Sequence, residues 1–316
     1  MSARPSFIPG LQLGRLFYEE ARAIVEKIVP TDAYAAALMG YGSEVLGFDS
    51  ERSVDHNWGP RFQLFLEPSL PEARMRALSQ ALRDQLPKTF RGHAVELPDA
   101  DPQVSQPHLL EITTTREFFQ RYLGMDIFGG IGALDWLTFP EQRLLELTSG
   151  EVFHDPTGEL ARLRGTLSSW PRDVWLYRMA CQWQKLFQEE AVVGRCAEAG
   201  DALGMRVVTA RIVRDLMRLF FLMEHRYAPY DKWLGTAFAR LPCGPLVMPL
   251  LSAALDARRY PRIEARLAAL YRNAAEMHNA LAVTEPLDPT PRPFFPPFHT
   301  LPRRGAQPDR GGIGRL

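Results

Sequence analysis

Two apolar runs of strand length, 33–39 and 62–66, bracket the most constraining stretch of the chain. It reads Tyr41-Gly42-Ser43-Glu44-Val45-Leu46-Gly47-Phe48-Asp49 and continues through Ser53-Val54-Asp55-His56-Asn57-Trp58-Gly59-Pro60-Arg61. Short apolar runs bounded by Gly, Ser and Pro read as buried strands. The layout is therefore strand, small-residue turn, loop, acid, strand. Phosphate chemistry uses such a layout. A Gly lets backbone N–H groups approach phosphate oxygens, a Ser adds a hydroxyl donor, and a following helical turn directs its positive end at the anion. Asp55, at the entry to the second run, is placed to hold Mg²⁺ against the same phosphates.

The flanking segments predict an α+β domain around that stretch. Leu13, Leu16, Phe17, Ile24, Val25 and Ile28 recur near the helical period, so 11–29 is expected as a helix stopped by Pro30. A second helix is expected over 71–86, capped by Ser69, with Pro71 in its first turn and Met75, Leu78, Ala81 and Leu82 on one side. Short strands are expected at 93–97 and 108–113, with a Pro/Asp turn at 98–103 between them. Residues 115–154 read as short helices that complete a mixed sheet with flanking helices.

From about residue 157 the pattern is helical. Pro171 opens a helix with Trp175, Met179, Trp183 and Phe187 at helical spacing, and further helices are expected at 204–225, 232–240, 245–256 and 262–282. The expected organisation is an α+β domain over 1–155, an all-α helical bundle over 156–285 and a Pro-rich, extended tail over 286–316.

Composition narrows the partners. The chain has 316 residues, and its 37 Lys+Arg balance 37 Asp+Glu, so no global field draws it to nucleic acid or to an anionic membrane. Cys181, Cys196 and Cys243 are far apart and suggest neither a disulfide framework nor a zinc site. Charged residues interrupt every apolar stretch before the length of a membrane span, and the first residues lack the apolar core of a signal peptide. The expected location is the cytoplasm.

The Gly42-Ser43 pair followed by Asp55 at a strand entry resembles the nucleotidyltransferase superfamily. There, Gly-Ser or Gly-Gly is followed, a short loop later, by Asp-x-Asp or Asp-x-Glu opening a strand. The wider string, Asp55-His56-Asn57-Trp58-Gly59-Pro60-Arg61 with the later Glu111-Ile112-Thr113-Thr114, looks like an uncharacterised bacterial branch of that superfamily, known as a domain of unknown function. The resemblance covers nearly the whole chain. It implies a nucleoside triphosphate bound with Mg²⁺, and transfer of a nucleoside monophosphate to a hydroxyl acceptor.

Carried over residue by residue, the resemblance gives Gly42 and Ser43 the phosphates and Asp55 the metal. Asn57 stands where the superfamily has its second carboxylate; its amide oxygen can ligate Mg²⁺ but brings no charge. Glu111 stands in the place of a third carboxylate, to bind a second ion or to activate the attacking hydroxyl. Plainer readings stand beside these: an ordinary turn at Gly42-Ser43, a solvated loop acid at Asp55, and an outward Glu111 alternating with Leu110 and Ile112.

Arg61, directly after Gly59-Pro60, is a candidate to reach a triphosphate. Trp58 either stacks on a base or packs a corner. In the helical half, Glu190 is a candidate general base. Lys232, within Arg226-Tyr227-Ala228-Pro229-Tyr230-Asp231-Lys232-Trp233, is a candidate phosphate contact. Arg218 and His225 have the Arg-x6-His spacing of a family of helical ribonucleases. Three functions are therefore carried forward: a Mg²⁺-dependent nucleotidyltransferase acting on a small-molecule or macromolecular acceptor, a degenerate nucleotide-binding sensor or partner-binding protein on the same fold, and a helical-domain ribonuclease.

Overall fold

The structure, a computed structural model, describes residues 6–55, 58–95, 110–294 and 298–300. It divides into two compact units, Met1–Trp170 and Pro171–Leu316.

In the first unit, helix α1 (Gly10–Val25) turns Leu13, Phe17, Tyr18, Ala21, Ile24 and Val25 inward, the spacing that the apolar periodicity predicted. It ends sooner than expected, and the chain to Val29 continues as hydrogen-bonded turns from the Val25 carbonyl. Strands β1 (Tyr34–Leu38) and β2 (Phe62–Leu66) are buried along their full length and pair antiparallel, with Tyr34 opposite Leu66 and Ala37 opposite Gln63. Helix α2 (Glu72–Gln85) follows; Pro71, not Ser69, occupies its N-cap position, and no side chain caps it. A two-residue ladder, β3 (Thr89–Phe90) with β4 (His93–Ala94), comes next; among the described residues of the strand expected at 93–97, only His93 and Ala94 pair, and they pair with β3. The expected turn at 98–103 lies outside the described residues.

Strand β5 (Leu110–Thr113) runs parallel to β2, with Gln63 opposite Glu111. Helices α3 (Thr115–Leu123), α4 (Ala133–Thr138) and α5 (Glu141–Thr148) come next, and α3 opens with a capping box between Thr114 and Glu117. A strand that the sequence reading missed, β6 (Glu151–His154), then pairs antiparallel with β1. The sheet order is β5-β2-β1-β6, a four-stranded mixed sheet flanked by helices.

Each face of the sheet is covered. Phe62, Leu64 and Leu66 of β2 with Ala36 of β1 join Phe17, Tyr18, Leu78 and Leu82 in one core under α1 and α2. On the other face Phe65 meets Phe118 of α3 edge-on, with ring centroids 5.2 Å apart. Each such fully buried ring stabilises by about 1.5–3 kcal/mol relative to an exposed one.

Helix α6 (Glu159–Leu167) corrects the expected boundary at residue 155, because it belongs to the first unit. Leu160, Leu163 and Leu167 are buried, the Asp155 carboxylate accepts from the Ala161 N–H at 2.9 Å, and Arg164 donates to the Thr148 and Ser149 carbonyls at 2.9 Å each. These contacts tie α6 to the end of α5 and to the start of β6.

The second unit is helical. Its helices among the described residues are α7 (Arg172–Glu189), α8 (Val192–Glu198), α9 (Ala202–Met223), α10 (Asp231–Phe238), α11 (Gly244–Asp256) and α12 (Tyr260–Ala280). α9 packs against α7, α8, α11 and α12. Asp201 caps its start through the Gly204 N–H at 2.7 Å. Its last turn closes as a Schellman motif, with Arg226 N–H on the Phe221 carbonyl and His225 N–H on that of Leu222. Within the expected extended tail, β7 (Arg292–Phe294) and β8 (Phe298–Thr300) pair as an antiparallel hairpin, and 301–316 lie outside the described residues. Among the described residues no helix is long and apolar enough to cross a membrane.

Candidate functional site

Strand directions decide which chain segments meet. β1 ends at Leu38, where β2 begins at Phe62, β5 at Leu110 and β6 at Glu151. The Gly42-Ser43 loop, the entry into β2 over 58–61, and Glu111 therefore all belong to one end of the sheet. Two of these approach along neighbouring strands, since Glu111 stands opposite Gln63.

The loop itself is tightly built. Gly40, Gly42 and Gly47 have φ of +89°, +129° and +66°, and the conformation at Gly42 is one that residues with a Cβ rarely adopt. The Gly40 N–H donates to the Glu146 carbonyl at 2.9 Å, and the Tyr41 N–H to the Tyr122 hydroxyl at 2.8 Å. Burial pushes the Tyr122 phenol up to about 12. After Gly42 the chain turns on itself, with the Phe48 N–H on the Ser43 carbonyl at 2.8 Å and Gly47 N–H on that of Glu44 at 3.0 Å. Val45 is anchored from below by the Gly150 N–H at 2.9 Å. Among the described residues no side chain hydrogen-bonds the Ser43 hydroxyl.

Under the loop lies a charged pair that sequence reasoning missed. Arg61 and Glu44 are 3% and 2% exposed, with Nη2 2.6 Å and Nε 2.7 Å from Glu44 Oε1. Arg61 also donates to the Tyr41 carbonyl, and its guanidinium lies 4.5 Å from the centre of the Tyr41 ring. Arg61 was expected to reach phosphate. In the structure its Nε and Nη2 bond Glu44 and the Tyr41 carbonyl and so hold the fold of the loop. A Cβ on Gly42 would stand 2.6 and 2.7 Å from the two Glu44 carboxylate oxygens and closer still to Arg61 Nη2. The one available signal was Glu44 itself, an acid beside Val45 and Leu46 in a short turn, where a buried carboxylate requires a cation.

Trp58 is a packed corner. It is 8% exposed, its indole N–H donates to Asp49 at 3.1 Å, and Phe7 stacks on it at 5.8 Å. Asp49 also accepts from the Gly10 N–H at 2.7 Å, fixing the start of α1 to the loop.

Asp55 closes a 3-10 turn, Glu51–Asp55. Its side chain and residues 56–57 lie outside the described residues, so Asn57 receives no placement. Glu111 is on the face of β5 opposite Leu110 and Ile112, and it forms an ion pair with Arg121 of α3. Among the described residues no three His, Cys, Asp or Glu side chains converge to hold a metal ion.

The remaining candidates belong to the second unit. Glu190 is the half-buried C-cap residue of α7, and Lys232 sits in the exposed first turn of α10, with Nζ 4.8 Å from the centre of the Trp233 ring. The Arg218/His225 pairing does not survive as a shared helix face. α9 ends at Met223, His225 takes φ +53°, and its ring stacks on Trp175 at 4.0 Å.

A cavity of about 270 Å³ opens at the other end of the sheet, near Tyr34, Phe65, Glu67, Thr115 and Glu159, away from the glycine loop.

Residues 136–234 match a domain of unknown function, DUF4037. The match spans parts of both units and leaves the Gly42-Ser43 loop and Glu111 outside it. No curated protein matches the chain. Among solved structures, a nucleotidyltransferase-like protein from Exiguobacterium sibiricum 255-15 aligns with 89% of this chain and 81% of its own, at 12% identity and a TM-score of 0.36.

Proposed function

We propose that the first unit binds a nucleoside triphosphate with Mg²⁺ and transfers its nucleoside monophosphate to a hydroxyl acceptor. The single observation supporting this is that the glycine loop, the entry into β2 that follows Asp55, and Glu111 share one end of a mixed sheet. The positive-φ turn at Gly42 would let the loop's N–H groups approach the phosphates, and the Ser43 hydroxyl would donate to one phosphate oxygen.

Asp55 and Asn57 would hold the metal, and Glu111 would join them through the carboxylate oxygen that Arg121 does not take. Mg²⁺, when bound, would neutralise phosphate charge. In the transfer, the acceptor oxygen bonds to the α-phosphorus, the bond to the bridging oxygen breaks, pyrophosphate leaves and the hydroxyl proton passes to a base. Such catalysis is mostly positioning and charge neutralisation.

Nucleotide binding without turnover is the second reading. It is favoured by the ion pair that already occupies Glu111 and by the uncharged Asn57. The ribonuclease reading is not carried forward, because His225 leaves the helix that Arg218 occupies.

Calorimetric titration of the protein with each nucleoside triphosphate, with and without Mg²⁺, and of an Asp55→Ala variant, tests the proposal. Mg²⁺-dependent binding that the variant loses is expected, with pyrophosphate release in an acceptor screen marking the transferase. Binding with no release under any acceptor assigns the second reading. No nucleotide binding at all by a folded wild type rejects both.

A further inference from the structure

We infer that the ring of Tyr41 is the platform on which the base of the nucleotide stacks, which makes it a specificity residue of the site proposed above and rests on that proposal. Tyr41 is 46% exposed, beside Gly42 and Ser43. An exposed aromatic ring on a surface loop is normally loose; this one is not.

Its backbone is clamped by the Tyr41 N–H to Tyr122 hydroxyl bond at 2.8 Å, and between the positive-φ residues Gly40 and Gly42. One face of the ring rests on the Arg61 guanidinium, 4.5 Å from the ring centre, and Arg61 is itself immobilised by Glu44 and by the Tyr41 carbonyl. The residue's exposure therefore belongs to the outer face and edge of a ring held in one orientation. Preorganisation of this kind lowers the ordering cost of binding.

The Arg61 beneath also selects the ligand. A cation on one face draws electron density from the ring, so a second cation on the outer face is disfavoured, whereas a planar, electron-rich base can stack there. A purine overlaps the ring over more area than a pyrimidine. Trp58 offers no such face, being buried between its Asp49 hydrogen bond and Phe7.

The test titrates wild type, Tyr41→Phe and Tyr41→Ala with Mg²⁺ and ATP, GTP, CTP, UTP or inorganic tripolyphosphate. Base–aromatic stacking of about 1–3 kcal/mol predicts that Tyr41→Ala binds purine triphosphates about 5- to 150-fold more weakly. Tyr41→Phe keeps the ring and is expected within about twofold of wild type, and tripolyphosphate binds all three proteins equally. Wild type should prefer purines, and Tyr41→Ala should lose that preference. If Tyr41→Ala binds ATP as wild type does, or loses tripolyphosphate to the same extent as ATP, the platform is wrong while the nucleotide site stands. If wild type binds no triphosphate, the site and the platform fall together.

Discussion

Arg61 and Glu44 lie beneath the glycine loop as a buried ion pair, their charged atoms 2.6 Å apart and both side chains withdrawn from solvent. The pair fills the space in which Gly42 would otherwise carry a side chain, so loop conformation and charge pairing depend on each other. Removing either partner leaves an uncompensated buried charge. Glu44→Gln or Arg61→Met alone should each cost about 3–5 kcal/mol, and the double variant clearly less than the sum. Urea denaturation of the two single variants and the double variant closes this cycle; additive losses would show that the two charges do not depend on each other.

Gly42→Ala combines a backbone penalty with a collision. At φ +129° the strain alone is about 1–3 kcal/mol, and the added Cβ meets the Glu44–Arg61 pair. Gly124→Ala is the control, since its φ is +77° but nothing lies within 4 Å of the added Cβ. That change should cost only about 1–2 kcal/mol. Thermal melting of the two variants should place Gly42→Ala well below Gly124→Ala, and nucleotide titration should show loss of binding in the former only.

Tyr122 gives the loop an alkaline limit. Its phenol is held up to about 12, chiefly by burial, while an unfolded tyrosine ionises near 10. Above about pH 10 the unfolded chain releases a proton that the folded protein keeps, so stability falls as pH rises from about 10 to about 12 and is unaffected by this group below that window. Tyr122→Phe should lower stability at neutral pH by about 0.5–1.5 kcal/mol, for the lost acceptor of the Tyr41 N–H, and should flatten the alkaline slope. Denaturation midpoints from pH 8 to 11.5 measure both, and Tyr18, Tyr34, Tyr260 and Cys243, also raised by burial, contribute to the slope that remains.

His278 sets an acid limit in the second unit. Its Nδ1 accepts from the Trp183 indole N–H at 3.2 Å and its Nε2 lies 2.8 Å from the Thr284 hydroxyl, an arrangement of the neutral ring. Burial lowers its pKa, so the unfolded chain takes up a proton near pH 6.5 that the folded protein refuses. Stability present above that pH is lost as pH falls through it toward the depressed folded value. His278→Gln should be less stable at pH 7.5 and less sensitive to acid; an unchanged pH profile from 7.5 to 5 would exclude this role.

The elements that position the loop were legible where burial is continuous along the chain. β1 and β2 are unbroken apolar runs, and α1, α2 and α9 show helical spacing. β6 was not legible, because Glu151–His154 is an edge strand of four half-buried residues and its ends are polar. α6 misled for a related reason: its helical pattern is local, but Leu160, Leu163 and Leu167 dock on the sheet unit, a choice made by long-range packing. At the site, Gly42 and Ser43 could be read because small residues in a turn state their own geometry. Arg61 could not, since an arginine after Gly-Pro looks alike whether it faces solvent or a buried glutamate far away in sequence.

The β1–β6 pairing also sets the order in which this protein can complete itself on the ribosome. β1 is an interior strand, yet the hydrogen-bonding edge it shares with His154 and Val152 has no partner until nearly all of the first unit has been synthesised. Until then the nascent chain displays an apolar alanine strand with one open edge, the kind of surface that pairs with a neighbouring chain or a holdase. The glycine loop, hung from the end of that strand and anchored at Val45 by Gly150, can be set only at the same late moment.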